Sequence, residues 1–235
     1  MVKKGLVLLI LAAFAGGGLF AQDDGPNNDR PNNTITVDIG PTIIGIGIGA
    51  VGTMLSSEDG FNSSGFGIGA QYEYQLFDAL SFAGRFAYLG GGLGFSDGDD
   101  SLGMRLNSFS IEGHARFYPF SRRTFFLDGM LGYGYLGITF EGTSDNKSVN
   151  FTASRSFFKL GAKLGWRIDF GNPGGFIFEP SLGYYGGIGL GKKLGDQLAG
   201  EIDEVASGLN DLFGLVESFI FIGGPRLSLA FGWRF

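Results

Sequence analysis

The sequence predicts an all-β fold, an eight-stranded antiparallel up-and-down barrel that crosses a membrane and carries one helical extracellular loop. Three observations lead there. Eight segments alternate apolar with small or polar residues, at about 34–49, 64–76, 81–95, 106–118, 124–140, 155–170, 175–190 and 218–235, and a β-strand sends successive side chains to opposite faces. The connections alternate in length, three tight turns at 77–80, 119–123 and 171–174 against four longer loops at 50–63, 96–105, 141–154 and 191–217. A soluble sandwich strand also alternates, but such a domain has no reason to order its loops by length, whereas a membrane barrel with both termini on one side does. Finally, no segment after the N-terminal stretch is apolar enough for a helical span, and a closed barrel is the other structure that pairs every backbone group in lipid.

Taken in order, the chain opens on Lys3 and Lys4, an apolar run from Leu6 to Phe14 and small residues leading to Ala21. That order predicts a secretory signal peptide over residues 1–21, since the run is too short for a spanning helix. Residues 22–33 are Gln, Asp, Gly, Pro, Asn and Arg only, which predicts a disordered periplasmic leader before a barrel domain at 34–235. Removal of Lys3 and Lys4 leaves 15 basic against 23 acidic residues, a net charge of −8, and this balance argues against a nucleic-acid partner.

Glycine supplies 44 of 235 residues, against a usual level of about 7%. In a helix interior each would cost roughly 1 kcal/mol, whereas in strands glycine makes room for bulky neighbours, as in Ile44-Gly-Ile-Gly-Ile-Gly49. There is no cysteine, so neither a disulfide framework nor a thiol nucleophile is available. The sixth strand shows the alternation most cleanly: Phe158, Leu160, Ala162, Leu164, Trp166, Ile168 and Phe170 share one parity, Lys159, Gly161, Lys163, Gly165, Arg167 and Asp169 the other. Aromatic residues gather beside the tight turns, among them Tyr72, Tyr74, Phe77, Phe117, Tyr118, Phe120, Phe125, Phe126, Phe170, Phe176 and Phe178, as an interfacial girdle would. In the longest loop Leu194, Leu198, Ile202, Val205, Leu209, Leu212 and Val216 fall at helical spacing, which predicts a helix with one apolar face, packed on the barrel rim or acting as a lid.

The last strand places Leu227, Leu229, Phe231, Trp233 and Phe235 on one face with small or cationic residues between them. In this the chain resembles the small eight-stranded outer-membrane β-barrels, of the kind of the OmpA membrane domain, OmpX and OmpW, which typically end on phenylalanine with apolar residues two, four and six places earlier. The resemblance covers residues 34–235 and implies an integral protein of the cell outer membrane, with termini and short turns periplasmic and long loops extracellular. It also implies insertion by the outer-membrane assembly machinery, with those five residues as the assembly signal.

A barrel of eight strands has an interior just wide enough for side chains or one small ligand. The inward parity supplies the acids Asp38, Glu73, Glu112, Asp128, Asp169 and Glu179, the bases Arg85, Arg116, Lys159, Lys163, Arg167, Arg226 and Arg234, and His114. Charges buried there must be paired, and near-balance predicts an interlocking polar network that plugs the barrel; a conduit lined by the cationic ladder Lys159, Lys163 and Arg167 is the competing reading. Pro41, Pro180 and Pro225 fall within strands one, seven and eight on the lipid-facing parity. Each lacks an N–H, so they either sit at bulges or mark a lateral seam through which small hydrophobic solutes pass.

Catalysis is not expected. Ser110 lies four residues from His114, about 13 Å along a strand and too far for proton transfer. No second histidine supports a metal site, and the glycine runs 90–94 and 186–191 end strands instead of opening phosphate-binding helices. No cofactor is expected. The sequence therefore predicts a surface-exposed structural or adhesin-like protein, its partners the outer-membrane lipids and an extracellular molecule met by the acidic loops, with a passive channel for small hydrophobic solutes as the alternative.

Overall fold

A computed structural model of the chain describes residues 32–39, 61–97, 100–120, 123–144, 147–171, 174–198 and 224–235. The signal peptide, nearly all of the leader, the segment around Pro41 and the loop stripe from Ile202 to Val216 lie outside the described residues. The strands are β1 (Asn33–Asp38), β2 (Phe61–Phe77), β3 (Leu80–Asp97), β4 (Asp100–Phe117), β5 (Phe125–Ser144), β6 (Lys147–Trp166), β7 (Ile168–Phe170), β8 (Gly175–Leu190) and β9 (Gly224–Arg234), with one short helix, α1 (Leu194–Leu198). All pairings are antiparallel. β6 and β7 are one stave interrupted at Arg167, and the pairing of that stave with β8 closes a ring of eight.

The ring is staggered. Stepping across hydrogen-bonded partners from Arg234 through Thr34, Glu73, Ala83, His114, Met130, Gly161 and Tyr185 returns to β9 at Gly224, ten residues from the start. Such a stagger tilts the strands by about 40° from the barrel axis, so roughly nine to eleven residues cross a bilayer. Burial alternates as the pleat requires: in β4, Ser110, Glu112, His114 and Arg116 are buried while Phe109, Ile111, Gly113, Ala115 and Phe117 are exposed. The polar set is inside and the apolar set outside, the reverse of a water-soluble domain.

At one end the connections are tight. Asp78 and Ala79 turn β2 into β3, and the turn after β4 is clasped to it by Tyr118 N–H donating to Ala79 O at 2.8 Å and by the Arg123–Asp78 ion pair at 2.6 Å. Arg123 stands in the left-handed region, φ 54°, an uncommon conformation for a side-chain-bearing residue, and its N–H closes the turn on Phe120 O at 3.0 Å. At the other end the expectation of long loops at 96–105 and 141–154 is corrected. The β3–β4 ladder runs on to Asp97↔Asp100 and the β5–β6 ladder to Ser144↔Lys147. Both segments are hairpins reaching beyond the belt of apolar outward residues.

Candidate functional site

Inside the ring the ionic side chains form two connected layers. In the layer at the tight-turn end, Glu73 is fully occupied. Its Oε1 accepts from Ser81 Oγ at 2.7 Å and Tyr118 OH at 2.6 Å, and its Oε2 from Arg116 Nη1 and Arg167 Nη2, both at 2.6 Å. Glu179 accepts from Arg116 Nη1 at 3.0 Å and Arg167 Nε at 2.5 Å. Asp128 accepts from Arg116 Nε at 2.7 Å, stands 2.8 Å from His114 Nδ1 and has Lys163 Nζ at 3.4 Å. Aromatic faces back the guanidinium groups, Phe126 at 4.4 Å from Arg116 and Tyr118 at 5.4 Å from Arg167, distances at which a ring quadrupole attracts a cation.

In the second layer Glu112 accepts from Arg85 Nη1 at 2.7 Å, Ser110 Oγ at 2.7 Å and Lys159 Nζ at 2.5 Å. Asp38 accepts from Arg85 Nη2 and Ser228 Oγ, each at 2.7 Å. His114 joins the layers, its Nε2 lying 3.3 Å from Glu112 Oε2. The five acids Asp38, Glu73, Glu112, Asp128 and Glu179 thus face the five cations Arg85, Arg116, Lys159, Lys163 and Arg167 in direct contact. Buried charge is tolerated when it is paired and its remaining hydrogen-bonding capacity is met. Asp169 sits apart: it meets Arg234 at 3.3 Å at the tight-turn mouth, where its side chain is 37% exposed. The side chain of Arg226 lies outside the described residues.

Toward the hairpin end the inward face turns apolar. Leu106, Leu136, Ile138, Ala153 and Phe157 are buried together with Leu194 of α1, and Leu89, Met104, Phe140 and Phe151 pack against them. Gln197 of α1 pairs with the backbone of β6, its Nε2 donating to Ser154 O at 2.8 Å and its Oε1 accepting from Ser154 N–H at 3.2 Å. This is the position a neighbouring strand would take, since the β6–β8 ladder stops at Ser156↔Leu190.

The outward face changes in the opposite sense. Below the cross-strand row of Ile68, Tyr88, Phe109 and Tyr135 it is apolar, with Ile111, Leu131 and Leu160 each more than 60% exposed. Above it stand Ser64, Asn107, Arg105, Thr139, Glu141, Thr152 and Asn150. Phe109 and Tyr135 stack at 5.4 Å on the boundary. Aromatic rings of this kind mark the level where hydrocarbon gives way to water.

One expectation needs correction. Tyr118 and Phe126 are not girdle residues; both are buried, 2% and 0% exposed, inside the tight-turn layer, because their even numbers continue the inward parity of β4 and β5. The described prolines lie within the β8–β9 ladder. That ladder is continuous from Gly175↔Arg234 to Tyr185↔Gly224, with Pro180 opposite Leu229 and Pro225 opposite Tyr184. Leu229 O bonds to Ile39 N–H at 3.0 Å, on the β1 side, so Pro180 and Leu229 form a non-hydrogen-bonded pair in which neither N points at the other strand. Pro225 shares the parity of Leu229 and likewise points away from β8. The N–H missing at Pro180 faces β6 and β7, where the ladder skips from Gly165↔Ser181 to Ile168↔Phe178.

Ser81, Gln71, Tyr118 and Ser228 were not anticipated as partners of the ionic groups. Their inward parity is visible in the sequence, but neutral side chains carry no charge signal to single them out. Ser110 donates to Glu112 and not to His114, so the two do not form a nucleophile–base pair.

No protein-family model and no curated protein matches the chain. Among solved structures it is similar to Ail, the attachment invasion locus protein of Yersinia pestis, in complex with the heparin analogue sucrose octasulfate: 16% identity, TM-score 0.47, covering 88% of this chain and 99% of that one. It is similar to the N-terminal β-barrel domain of Pseudomonas aeruginosa OprF (14% identity, TM-score 0.36, covering 88% and 100%). A third is Acinetobacter baumannii CarO (9% identity, TM-score 0.40, covering 89% and 100%). The chain is thus a small closed barrel of eight staves, apolar outside and ionic inside.

Proposed function

We propose that this protein is a non-conducting barrel that anchors an interaction surface in the outer membrane. The observation that carries the reading is the occupancy of the interior, where five buried carboxylates and five cations bond to one another. Passing an ion would require these pairs to part, and separating a buried pair costs about 3–5 kcal/mol. The apolar cluster around Leu106, Leu136 and Ile138 is a second obstacle on the same axis. In this reading the tight turns and both termini face the periplasm and the assembly machinery engages Leu227 to Phe235. The β3–β4 and β5–β6 hairpins stand in the external water, where their polar outward face and the acidic loops meet a partner in an adhesin-like role.

Passage of hydrophobic solutes through a lateral seam draws less support, because neither described proline removes a hydrogen bond from the β8–β9 ladder. The test is single-channel recording of the refolded full chain in planar bilayers, with the heat-dependent gel shift as proof of folding. A folded barrel is expected to be electrically silent. Discrete openings would refute the plug, and openings blocked by hydrophobic solutes would restore the channel.

A further inference from the structure

We propose that the outer wall formed by β2, β3 and β4 carries a site for one lipid with a phosphorylated headgroup, seated in the leaflet nearer the hairpins. Two grooves lie one above the other on this wall. The lower, of about 470 Å³, has Gly84 and Ala70 as its floor and Ile35, Tyr72, Phe86 and Ile111 as its sides, so it is apolar and lies within the lipid-facing belt. The upper, of about 370 Å³, has Gly90 and Gly92 as its floor and Ser64, Phe66, Arg105 and Asn107 around it. The row of Ile68, Tyr88 and Phe109 runs between them. From Phe86 to Gly90 is four residues along β3, roughly 13 Å. The track is therefore almost wholly apolar below the aromatic row, where Ile35 of β1 joins it, and gains the polar groups of Ser64, Asn107 and Arg105 beside Phe66 above it, which is the order of groups in an amphiphile standing in a bilayer.

The glycine of the lower groove is not explained by the barrel's own packing. A Cβ on Gly84 would meet nothing within 4 Å, whereas on inward-facing Gly132 it would come within 2.7 Å of Ile111 O and 2.9 Å of Glu112 Cγ. A strand glycine leaves room for a close approach from outside, and at Gly84 that room lies in the groove between Ile35, Tyr72, Phe86 and Ile111, where what approaches is lipid. In the upper groove, which Asn107 lines, Tyr88 OH donates to Asn107 Oδ1 at 2.8 Å, so that bond engages the amide oxygen and not its N–H groups. The Arg105 side chain is 68% exposed and, among the described residues, pairs with Glu141 at 3.4 Å, a long surface pair of little strength. A guanidinium fork matches the geometry of a phosphate bidentately.

The inference rests on the bilayer-spanning reading but not on the plug, so a conducting barrel would leave it standing. Native mass spectrometry of the refolded full chain in non-ionic detergent tests it with three probes: dioleoyl phosphatidic acid, dioleoylglycerol with the same chains and no phosphate, and glycerol phosphate with no chains. Phosphatidic acid is expected to be retained about tenfold over dioleoylglycerol, the loss that follows when a charge-assisted hydrogen bond is absent. Arg105→Gln should remove that preference and Gly84→Leu should lower retention of both lipids. Gly129→Leu, at another outward glycine whose Cβ meets nothing within 4 Å but on β5, should change neither, with the gel shift certifying each fold. Equal retention of the two lipids, equal effects of Gly84→Leu and Gly129→Leu, or binding of glycerol phosphate as tight as that of phosphatidic acid would each overturn the site.

Discussion

Replacing Arg116 by methionine removes the cation that touches most of the tight-turn layer while keeping a side chain that can fill its space. In one step Glu73 loses a partner at 2.6 Å, Asp128 one at 2.7 Å and Glu179 one at 3.0 Å. None is stripped bare: Arg167 still serves Glu73 and Glu179, and His114 and Lys163 still adjoin Asp128. The interior nevertheless passes from balance to one excess buried negative charge. Breaking a buried ion pair from one side costs about 3–5 kcal/mol. With a urea slope of about 1–3 kcal/mol per molar, the unfolding midpoint should fall by roughly 1–5 M. Equilibrium unfolding in lipid vesicles reports it, followed by the fluorescence of Trp166 and Trp233 and in parallel by the gel shift. Arg116→Lys, which keeps the charge but loses the fork, should fall between. A midpoint lowered by less than about 0.5 M at unchanged slope would mean that water already solvates these carboxylates, and the plug argument would fail with it.

Other perturbations separate parts of the same picture. Gly132→Ala should destabilise the barrel by about 1–3 kcal/mol through the contacts its Cβ makes with Ile111 O and Glu112; Gly129→Ala, with open space around the new atom, should be neutral or stabilising by about 0.5 kcal/mol. Paired urea melts decide this, and equal effects would contradict the assigned facing of the two residues. Gln197→Ala takes both bonds from the Ser154 backbone, so amide exchange at Ser154 should accelerate while that of Gly161 in the membrane belt stays slow; unchanged exchange at Ser154 would show that α1 does not dock on β6. Pro180→Ala restores an N–H facing the gap between β6 and β7, and exchange across residues 166–168 should slow by an amount corresponding to about 1 kcal/mol. Faster exchange there would show that the proline's missing donor lies on another side.

The eight staves were legible because a lipid-crossing strand must alternate, and the segments 106–118 and 175–190 show this without ambiguity. The hairpin extensions were not, for a physical reason. At 96–105 and 141–154 the apolar residues move to the inward parity, Met104 and Phe151 among them, and the outward positions are filled by Arg105, Glu141 and glycine. A pattern scored for apolar-outward strands loses its signal where the faces exchange roles. Parity alone nominated the ionic residues of the interior, and would also have placed Tyr118 and Phe126 there had their nearness to a turn not suggested the girdle. Which acid meets which base was out of reach, because partners such as Arg167 and Glu73, 94 residues apart, are set by the ten-residue stagger of the closed ring. The side on which Pro180 lacks its donor is hidden for the same reason, since it depends on which cross-strand pairs are hydrogen-bonded.

The exchange of polarity at the aromatic row also fixes how deep the molecule floats. If the barrel sank by one pleat, two residues along each strand, Asn107 and Gly137 would enter hydrocarbon, and Arg105 and Thr139 would follow at the next step. If it rose, Phe109, Ile111 and Leu131 would surface into water. A cation on the lipid face costs little near the boundary and about 2–4 kcal/mol at the midplane, so the restoring force is soft at first and then steep. The protein thus carries its own waterline, and the height at which its hairpins stand above the lipid is a property of the strands themselves, needing no tether, partner or plug to hold it.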